Sequence, residues 1–87
     1  MEKLLYFKLR TCPYCIAADN WIKELISENP DYAKIEIKIV DEQADKAFAD
    51  KYDYYYVPTF YADNKKLHEG AASADIIKRV FDAILEE

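Results

Sequence analysis

Two cysteines are the residues of this sequence best suited to chemistry, and they lie two residues apart as Cys12 and Cys15. Thiols at that spacing can close into a disulfide and open again, and a C-x-x-C motif beside a βαβ pattern is typical of a redox centre. A structural disulfide is a weaker interpretation, because so short a loop constrains the unfolded chain little. We therefore interpret the pair as redox-active.

Metal binding is the other interpretation of the cysteine pair. A zinc site takes about four ligands, and the chain offers two cysteines and the single His68, which lies far along the sequence. One chain is not expected to close such a site, so we predict no metal ligands. An iron–sulfur cluster bridging a dimer would draw its thiolates from two chains, and this alternative stays open.

The two thiols are expected to have different roles. Cys12 precedes Pro13, which suits the first position of a helix because its missing N–H costs nothing there. The unsatisfied N–H groups and the positive end of the helix dipole favour a thiolate at Cys12, and the cations Lys8 and Arg10 act in the same direction. Cys12 is thus the predicted nucleophile, and Cys15, inside the first turn, is the predicted resolving thiol.

The elements around the motif alternate between strand and helix. An apolar run from Leu4 to Leu9 predicts a central strand covered on both faces. From Pro13 the apolar residues recur every three or four positions, which predicts a helix that ends at Asn29 before Pro30. Alternation across residues 35–39 then predicts a half-buried edge strand.

The second half of the chain continues the alternation. Asp41 is placed to cap a second helix across residues 44–52, and the aromatic run 54–61 predicts a third strand. A turn at Asp63 leads into a fourth strand across 66–69, and Ser73 is a good N-cap for a final helix. The predicted fold class is α/β in the order βαβαββα, a four-stranded mixed sheet with helices on both faces.

A proline and three tyrosines stand out beyond the motif. Pro58 opens the third strand, where it either ends the preceding loop or forms a cis bond that leaves the Val57 backbone free to pair with an extended substrate. Tyr14, Tyr55 and Tyr56 flank the motif and this proline, where exposed aromatic side chains form a rigid contact surface. These features predict a substrate groove.

Length and composition limit the possible functions. The 87 residues form one predicted domain, 1–87, with a modest core, and two cysteines in one motif are not the framework of a secreted scaffold. A net charge of −5 without a basic run argues against nucleic acid, and no segment is apolar enough for a signal peptide or a membrane span. We expect a cytoplasmic monomer that does not bind membranes.

Over almost its full length, the chain resembles the glutaredoxin and thioredoxin families. Cys12-Pro13-Tyr14-Cys15 after Thr11 resembles the dithiol glutaredoxin active site, and Val57-Pro58-Thr59 resembles the segment that carries a cis-proline across the thioredoxin superfamily. The resemblance implies a thioredoxin-like fold and a thiol–disulfide oxidoreductase. It also implies that Tyr14 and the Val57 backbone contact glutathione or another thiol substrate, and that Pro58 is cis.

Two segments differ from the glutaredoxin pattern. Glutaredoxins usually carry a lysine three residues before the first cysteine, whereas this chain has Leu9, so that Arg10 or Lys8 would have to meet a glutathione carboxylate. The segment 69–75 is more similar to the last turn of thioredoxins, and Ser73 at the helix start could bind an anionic ligand while Asp75 would repel a carboxylate.

The resemblance implies no bound cofactor, with glutathione as a possible co-substrate. The predicted partners are disulfide-containing proteins and an electron donor, either glutathione or a thioredoxin-reductase-type enzyme. The predicted catalytic residues are Cys12 and Cys15. The predicted substrate-binding residues are Arg10, Thr11, Pro13, Tyr14, Tyr56, Val57, Pro58 and Ser73. The alternative function is a non-catalytic binding module or a dimer-bridged iron–sulfur cluster carrier.

Overall fold

Strands and helices alternate along the chain in a computed structural model that describes residues 3–86. The elements are β1 (Lys3–Lys8), α1 (Pro13–Glu28), a 3-10 helix (Pro30–Lys34), β2 (Glu36–Asp41), α2 (Lys46–Ala49), β3 (Thr59–Ala62), β4 (Lys65–Glu69) and α3 (Ala74–Leu85). The predicted order βαβαββα is confirmed, with the 3-10 helix as an addition. No helix within this range is both long enough and apolar enough to cross a membrane.

The four strands form one mixed sheet in the order β2-β1-β3-β4. β1 pairs in parallel with β2 and antiparallel with β3, and β3 and β4 form an antiparallel hairpin. The run from Leu4 to Phe7 is buried on both faces, as its unbroken apolar character predicts. β2 is an edge strand, also as predicted.

Helices cover both faces of this sheet. On one face, α1 and α3 pack against the sheet, and the buried residues of that core are Leu4, Tyr6, Ala18, Ile22, Leu25, Tyr32, Ile35, Phe60, Ala62, Ile77, Val80, Phe81 and Ile84. On the other face, α2 contributes to a smaller core with the buried residues Leu5, Phe7, Val40, Ala49 and Tyr61. The second core is rich in aromatic rings, since partly buried Phe48, Tyr52 and Tyr54 complete it.

The prediction that the third strand begins at Tyr54 is wrong, because β3 begins at Thr59. Before Thr59, side-chain hydrogen bonds take the place of a strand ladder. The Tyr54 hydroxyl donates to Glu42 Oε1 at 2.8 Å, and the Tyr61 hydroxyl donates to the Asp53 carbonyl oxygen at 2.6 Å. Pro58 cannot donate to a ladder, so regular pairing starts only after it.

The second helix is much shorter than predicted. The Asp41 carboxylate accepts from the backbone N–H groups of Gln43 and Ala44, at 2.9 and 3.3 Å, and so caps a turn instead of a helix. α2 then forms a single turn after Asp45. The apolar face predicted for Ala44, Phe48 and Tyr52 is confirmed in part, because Phe48 and Tyr52 pack on the second core whereas Ala44 is exposed.

The predicted bounds of the fourth strand and the predicted start of the last helix are nearly correct. Asp63 adopts a positive φ of 54° in the hairpin turn, and β4 begins at Lys65, one residue earlier than predicted. Gly70 ends β4 with a φ of 95°, a conformation that glycine adopts readily. The Ser73 side chain then caps α3 as predicted.

Candidate active site

The cysteine motif begins where β1 ends and α1 starts. Cys12 is the N-cap residue of α1, with an extended backbone (φ −76°, ψ 122°), and Pro13 occupies the first turn. The Cys12 carbonyl oxygen accepts from the N–H groups of Cys15 and Ile16, each at 3.0 Å, so that the helix closes directly on the first cysteine. The predicted helix start is confirmed.

The two thiols are both free and differ in exposure. Cys12 is half-buried, whereas Cys15 is fully buried. Burial raises the pKa of the Cys15 thiol to about 11, and the neighbouring Cys12 acts in the same direction. At neutral pH Cys15 is therefore a protonated thiol that solvent does not reach, as its predicted shielding requires.

A polar network lies beneath Cys15, and the sequence reasoning did not identify it. The Tyr6 hydroxyl lies 2.7 Å from Asp19 Oδ1 and 3.3 Å from the Cys15 carbonyl oxygen. Lys8 Nζ contacts the other oxygen, Asp19 Oδ2, at 2.7 Å. The spacing of Asp19, four residues after Cys15, indicates that the two residues lie on the same face of α1, because side chains four apart share a helix face.

This network changes the role expected for Lys8. Its ammonium group was expected to favour a thiolate at Cys12, but it forms an ion pair with Asp19, and both side chains are only partly exposed (16% and 30%). The adjacent carboxylate offsets the field of Lys8 at the motif. Arg10, by contrast, is exposed beside the motif.

Val57 and Pro58 lie at the same end of the sheet as the cysteines. Phe7 pairs with Thr59 in the antiparallel ladder, so the residues that follow Phe7 and those that precede Thr59 leave the sheet together. The Val57–Pro58 peptide bond is cis, as the resemblance implied. Among residues 3–86, no backbone or side-chain group forms a hydrogen bond with the Val57 N–H or carbonyl.

A second carboxylate that the sequence reasoning missed holds the segment before Val57. Glu69 Oε2 accepts from the backbone N–H groups of Tyr55 and Tyr56, at 2.6 and 3.0 Å. Lys66 Nζ contacts Glu69 Oε1 at 2.6 Å. Pairing of Glu69 with Thr59 brings the carboxylate near the segment that precedes β3. The sequence carries no local signal for its contacts with Tyr55 and Tyr56, which are 14 and 13 residues away.

Exposed side chains surround the motif. Tyr14, Tyr55 and Tyr56 are 62%, 86% and 70% exposed, which agrees with the predicted aromatic surface. Arg10, Thr11 and Pro13 are exposed as well. The start of α3 lies at the same end of the sheet, because β4 ends at Glu69 opposite Thr59. There the Ser73 hydroxyl oxygen accepts from the Ile76 N–H at 3.2 Å, so that its first role is to cap the helix.

Within residues 3–86, no group of three or more His, Cys, Asp or Glu side chains is arranged to hold a metal ion. The two thiols lie in one turn of α1, with Cys12 half-buried and Cys15 buried. Such an arrangement can exchange thiols and disulfides, because an accessible sulfur and a shielded sulfur lie in one helical turn.

No protein-family model matches the sequence, and no curated protein matches it significantly. Several solved structures, however, are similar to it. A malarial protein is 18% identical and aligns over 95% of this chain and 96% of its own, with a TM-score of 0.71. A mutant thioredoxin from Halobacterium salinarum is 21% identical, with coverage of 94% of this chain and 73% of its own and a TM-score of 0.68.

Thioredoxin O1 from Arabidopsis thaliana, solved in the oxidized state, is similar to the same extent. It is 21% identical, with coverage of 94% of this chain and 76% of its own and a TM-score of 0.69. At these identities the likeness concerns the fold, and it agrees with the mixed four-stranded sheet and its helices. The chain has a thioredoxin-like fold.

Proposed function

We propose that this protein is a thiol–disulfide oxidoreductase with a glutaredoxin-like active site, which reduces disulfides in proteins or mixed disulfides with glutathione. The observation that carries the proposal is the pair of free thiols at the start of α1, with Cys12 accessible and Cys15 fully buried. Nucleophilic attack needs an exposed sulfur, and resolution needs a second sulfur that does not compete for substrate.

The reaction runs in two exchanges. The Cys12 thiolate attacks one sulfur of the substrate disulfide, a Cys12–substrate disulfide forms, and the other substrate sulfur leaves as a thiolate that takes up a proton. Cys15 then loses its proton and attacks Cys12 Sγ, which releases the second substrate thiol. The substrate gains two electrons and two protons, and the protein is left with a Cys12–Cys15 disulfide.

The raised pKa of Cys15 suits the second exchange. A protonated, buried thiol does not react with a passing disulfide, so Cys12 makes the first attack. Cys15 becomes a nucleophile only when its proton is removed beside the mixed disulfide. The order of the two steps therefore follows from the difference in burial.

The proposed substrate groove lies between the motif and the Val57–Pro58 segment. An extended substrate can pair with the Val57 backbone, whose groups have no hydrogen-bond partner among residues 3–86. We propose that Arg10, Thr11, Pro13 and Tyr14 contact the substrate on one side, and that Tyr56, Val57, Pro58 and Ser73 contact it on the other. We place the reaction in the cytoplasm and expect a monomer.

The electron donor is either glutathione or a thioredoxin-reductase-type enzyme. Leu9 replaces the usual glutaredoxin lysine, and Asp75 at the start of α3 would repel a glutathione carboxylate. The reduction potentials are about −270 mV for thioredoxins and about −200 to −230 mV for glutaredoxins. This corresponds to a free-energy difference of about 2 to 3 kcal/mol for reduction of the disulfide to the dithiol. A redox titration can resolve this difference.

The test is reduction of insulin disulfides with each donor in turn, first glutathione with glutathione reductase and then thioredoxin reductase. Wild-type turnover with at least one donor supports the proposal. Cys12→Ser should abolish turnover, and Cys15→Ser should trap the mixed disulfide or retain only glutathione-dependent reduction. A Cys12→Ser protein that still reduces disulfides would exclude the assigned mechanism.

A binding module is the second candidate, and the exposed tyrosines favour it, because rigid aromatic surfaces also bind peptides without chemistry. It predicts no turnover with either donor and thiols of ordinary reactivity. A dimer-bridged iron–sulfur cluster would instead give a coloured dimer whose absorbance is lost in Cys12→Ser. The same purified protein therefore distinguishes all three.

A further inference from the structure

Glu69 is the last residue of β4, and its carboxylate binds the backbone of a neighbouring loop. One oxygen, Oε2, accepts from the N–H groups of Tyr55 and Tyr56, and the other, Oε1, contacts Lys66. The Glu69 side chain is 18% exposed. A single side chain thus binds two consecutive backbone groups, 14 and 13 residues away in sequence.

Packing holds the two ends of the segment that Glu69 binds, because Tyr54 and Val57 pack against the second core. The Tyr55 and Tyr56 side chains are 86% and 70% exposed, so they bury little apolar surface. Two further contacts also reach the backbone of this segment: the Thr59 hydroxyl donates to the Tyr56 carbonyl, and the Gly70 N–H donates to the Pro58 carbonyl at 2.8 Å. Hydrogen bonds thus fix the backbone of Tyr55 and Tyr56, while the two rings stay exposed to solvent.

The charge of Glu69 strengthens this contact. Lys66 and the two N–H groups hold the pKa of Glu69 at about 2, well below its ordinary value. The carboxylate is therefore ionised throughout the neutral range, and hydrogen bonds to an ionised acceptor are about twice as strong as neutral ones. A loop that is ordered before a partner arrives costs less entropy on binding.

We propose that Glu69 is a positioning residue, whose carboxylate holds Tyr55 and Tyr56 in the conformation in which these rings and Val57 contact a protein disulfide substrate. The inference rests on the proposed function, because it assigns a substrate surface to the same site. It adds a residue that touches neither the cysteines nor the substrate and that acts through the loop backbone. Small disulfides, which do not reach the rings, should not depend on it.

The test compares wild type with Glu69→Gln and Glu69→Ala. Glu69→Gln keeps the shape and one acceptor oxygen, so it should retain part of the effect and should fold if Glu69→Ala does not. Asp31→Asn is the matched control, because it also removes a carboxylate paired with a lysine (Lys34, 3.4 Å) but lies outside the site. Each protein is assayed with insulin and with hydroxyethyl disulfide.

For insulin, we expect KM to rise about tenfold in Glu69→Ala, the change that about 1.4 kcal/mol produces, and by less in Glu69→Gln, with kcat nearly unchanged. With hydroxyethyl disulfide, and in Asp31→Asn with either substrate, the constants should match wild type. Equal losses with both substrates, or no loss with insulin, would overturn the positioning role.

Amide hydrogen exchange separates this inference from the proposed function. The N–H groups of Tyr55 and Tyr56 should be protected in wild type and in Asp31→Asn, and should exchange faster in both Glu69 variants. Unchanged exchange would show that Glu69 does not hold the loop. A wild type that reduces neither disulfide would overturn the proposed function and the docking role with it, while the exchange rates would still decide whether the carboxylate orders the segment.

Discussion

The hydroxyl of Tyr6 on β1 donates a hydrogen bond to the Asp19 carboxylate on α1, with 2.7 Å between the oxygens. Tyr6 is almost completely buried, and burial and the Asp19 contact both raise its pKa, so it acts as a donor at any ordinary pH. The hydrogen bond joins the central strand to the helix that carries both cysteines. Like the hydrogen bond from Tyr32 to Asp82, it is a partly buried polar contact made by a tyrosine of the first core.

Removing this hydroxyl should destabilise the protein without disturbing its surface. We expect Tyr6→Phe to lower the free energy of unfolding by about 1.5 to 3 kcal/mol, because a hydrogen bond to a charged group is lost and Asp19 keeps only Lys8. Urea denaturation measures the change. Tyr14→Phe is the control, since its ring is 62% exposed and the loss should stay below about 0.5 kcal/mol. Equal stability of Tyr6→Phe and wild type would refute the structural role of the contact.

The burial of Cys15 should make its thiol slow to react with an alkylating reagent. Because burial raises its pKa to about 11, iodoacetamide should alkylate Cys12 at neutral pH and leave Cys15 almost unmodified. Raising the pH towards 11 should accelerate the Cys15 reaction, since the thiolate is the reactive form. Mass spectrometry of the reduced protein distinguishes the two sites.

Unfolding in guanidinium provides the control for this alkylation, because it removes the burial of Cys15 and should equalise the two cysteines. If the folded protein modified Cys15 as fast as Cys12 at neutral pH, the assignment of a shielded resolving thiol would be wrong.

Much of the fold is visible in the sequence because each of its long elements has its own periodicity. The four apolar residues from Leu4 to Phe7 predict a buried strand, and the apolar stripe of α3 predicts a helix that packs on a core, and both predictions are confirmed. The predicted cap at Ser73 is confirmed by its hydrogen bond to Ile76. Each of these patterns depends on residues that are close in sequence, and no contact with a distant part of the chain changes the element that it predicts.

The features that the sequence did not predict depend on contacts between distant residues. The aromatic run 54–58 has strand propensity, but Glu69, from another strand, binds its backbone and Tyr54 turns into the second core. The closeness of Lys8 to the motif in sequence predicts an effect on Cys12, whereas the fold brings Asp19 on α1 into contact with Lys8. In each case a tertiary contact overrides the local preference.

The second core should depend strongly on Phe7. This side chain is fully buried, and its ring lies 4.9 to 6.4 Å from those of Tyr54, Tyr52, Tyr61 and Phe48. We expect Phe7→Ala to lower the free energy of unfolding by about 3 to 5 kcal/mol, because it leaves a cavity between the sheet and α2. Thermal or urea denaturation measures it. Phe48→Ala, at the partly exposed edge of the same core, should cost clearly less, and the opposite ranking would contradict the packing described.

Glu69 should also make stability depend on pH. Its pKa is about 2 in the folded protein and near its ordinary value of 4.5 in the unfolded chain, so the folded state binds this proton less tightly. The stabilisation is therefore present above about pH 4.5 and is lost as the pH falls towards about 2. The pKa of Asp82 is lowered as well, so the informative quantity is the difference between wild type and Glu69→Gln. That difference should shrink on acidification, and a constant difference from about pH 6 to about pH 2 would refute the contact.

Ser73 caps α3 and is also a proposed substrate contact, and two substitutions can separate these roles. Its hydroxyl oxygen already accepts from the Ile76 N–H, so Ser73→Ala should lower the free energy of unfolding by about 1 kcal/mol. Ser73→Asp keeps a capping oxygen and should restore stability, while its added charge should weaken binding of an anionic substrate such as glutathione. Urea denaturation and the KM for glutathione, measured on both variants, therefore answer separate questions. If Ser73→Asp regained stability without any change in that KM, the hydroxyl would be a cap alone, and the anionic part of the substrate would bind elsewhere along the groove.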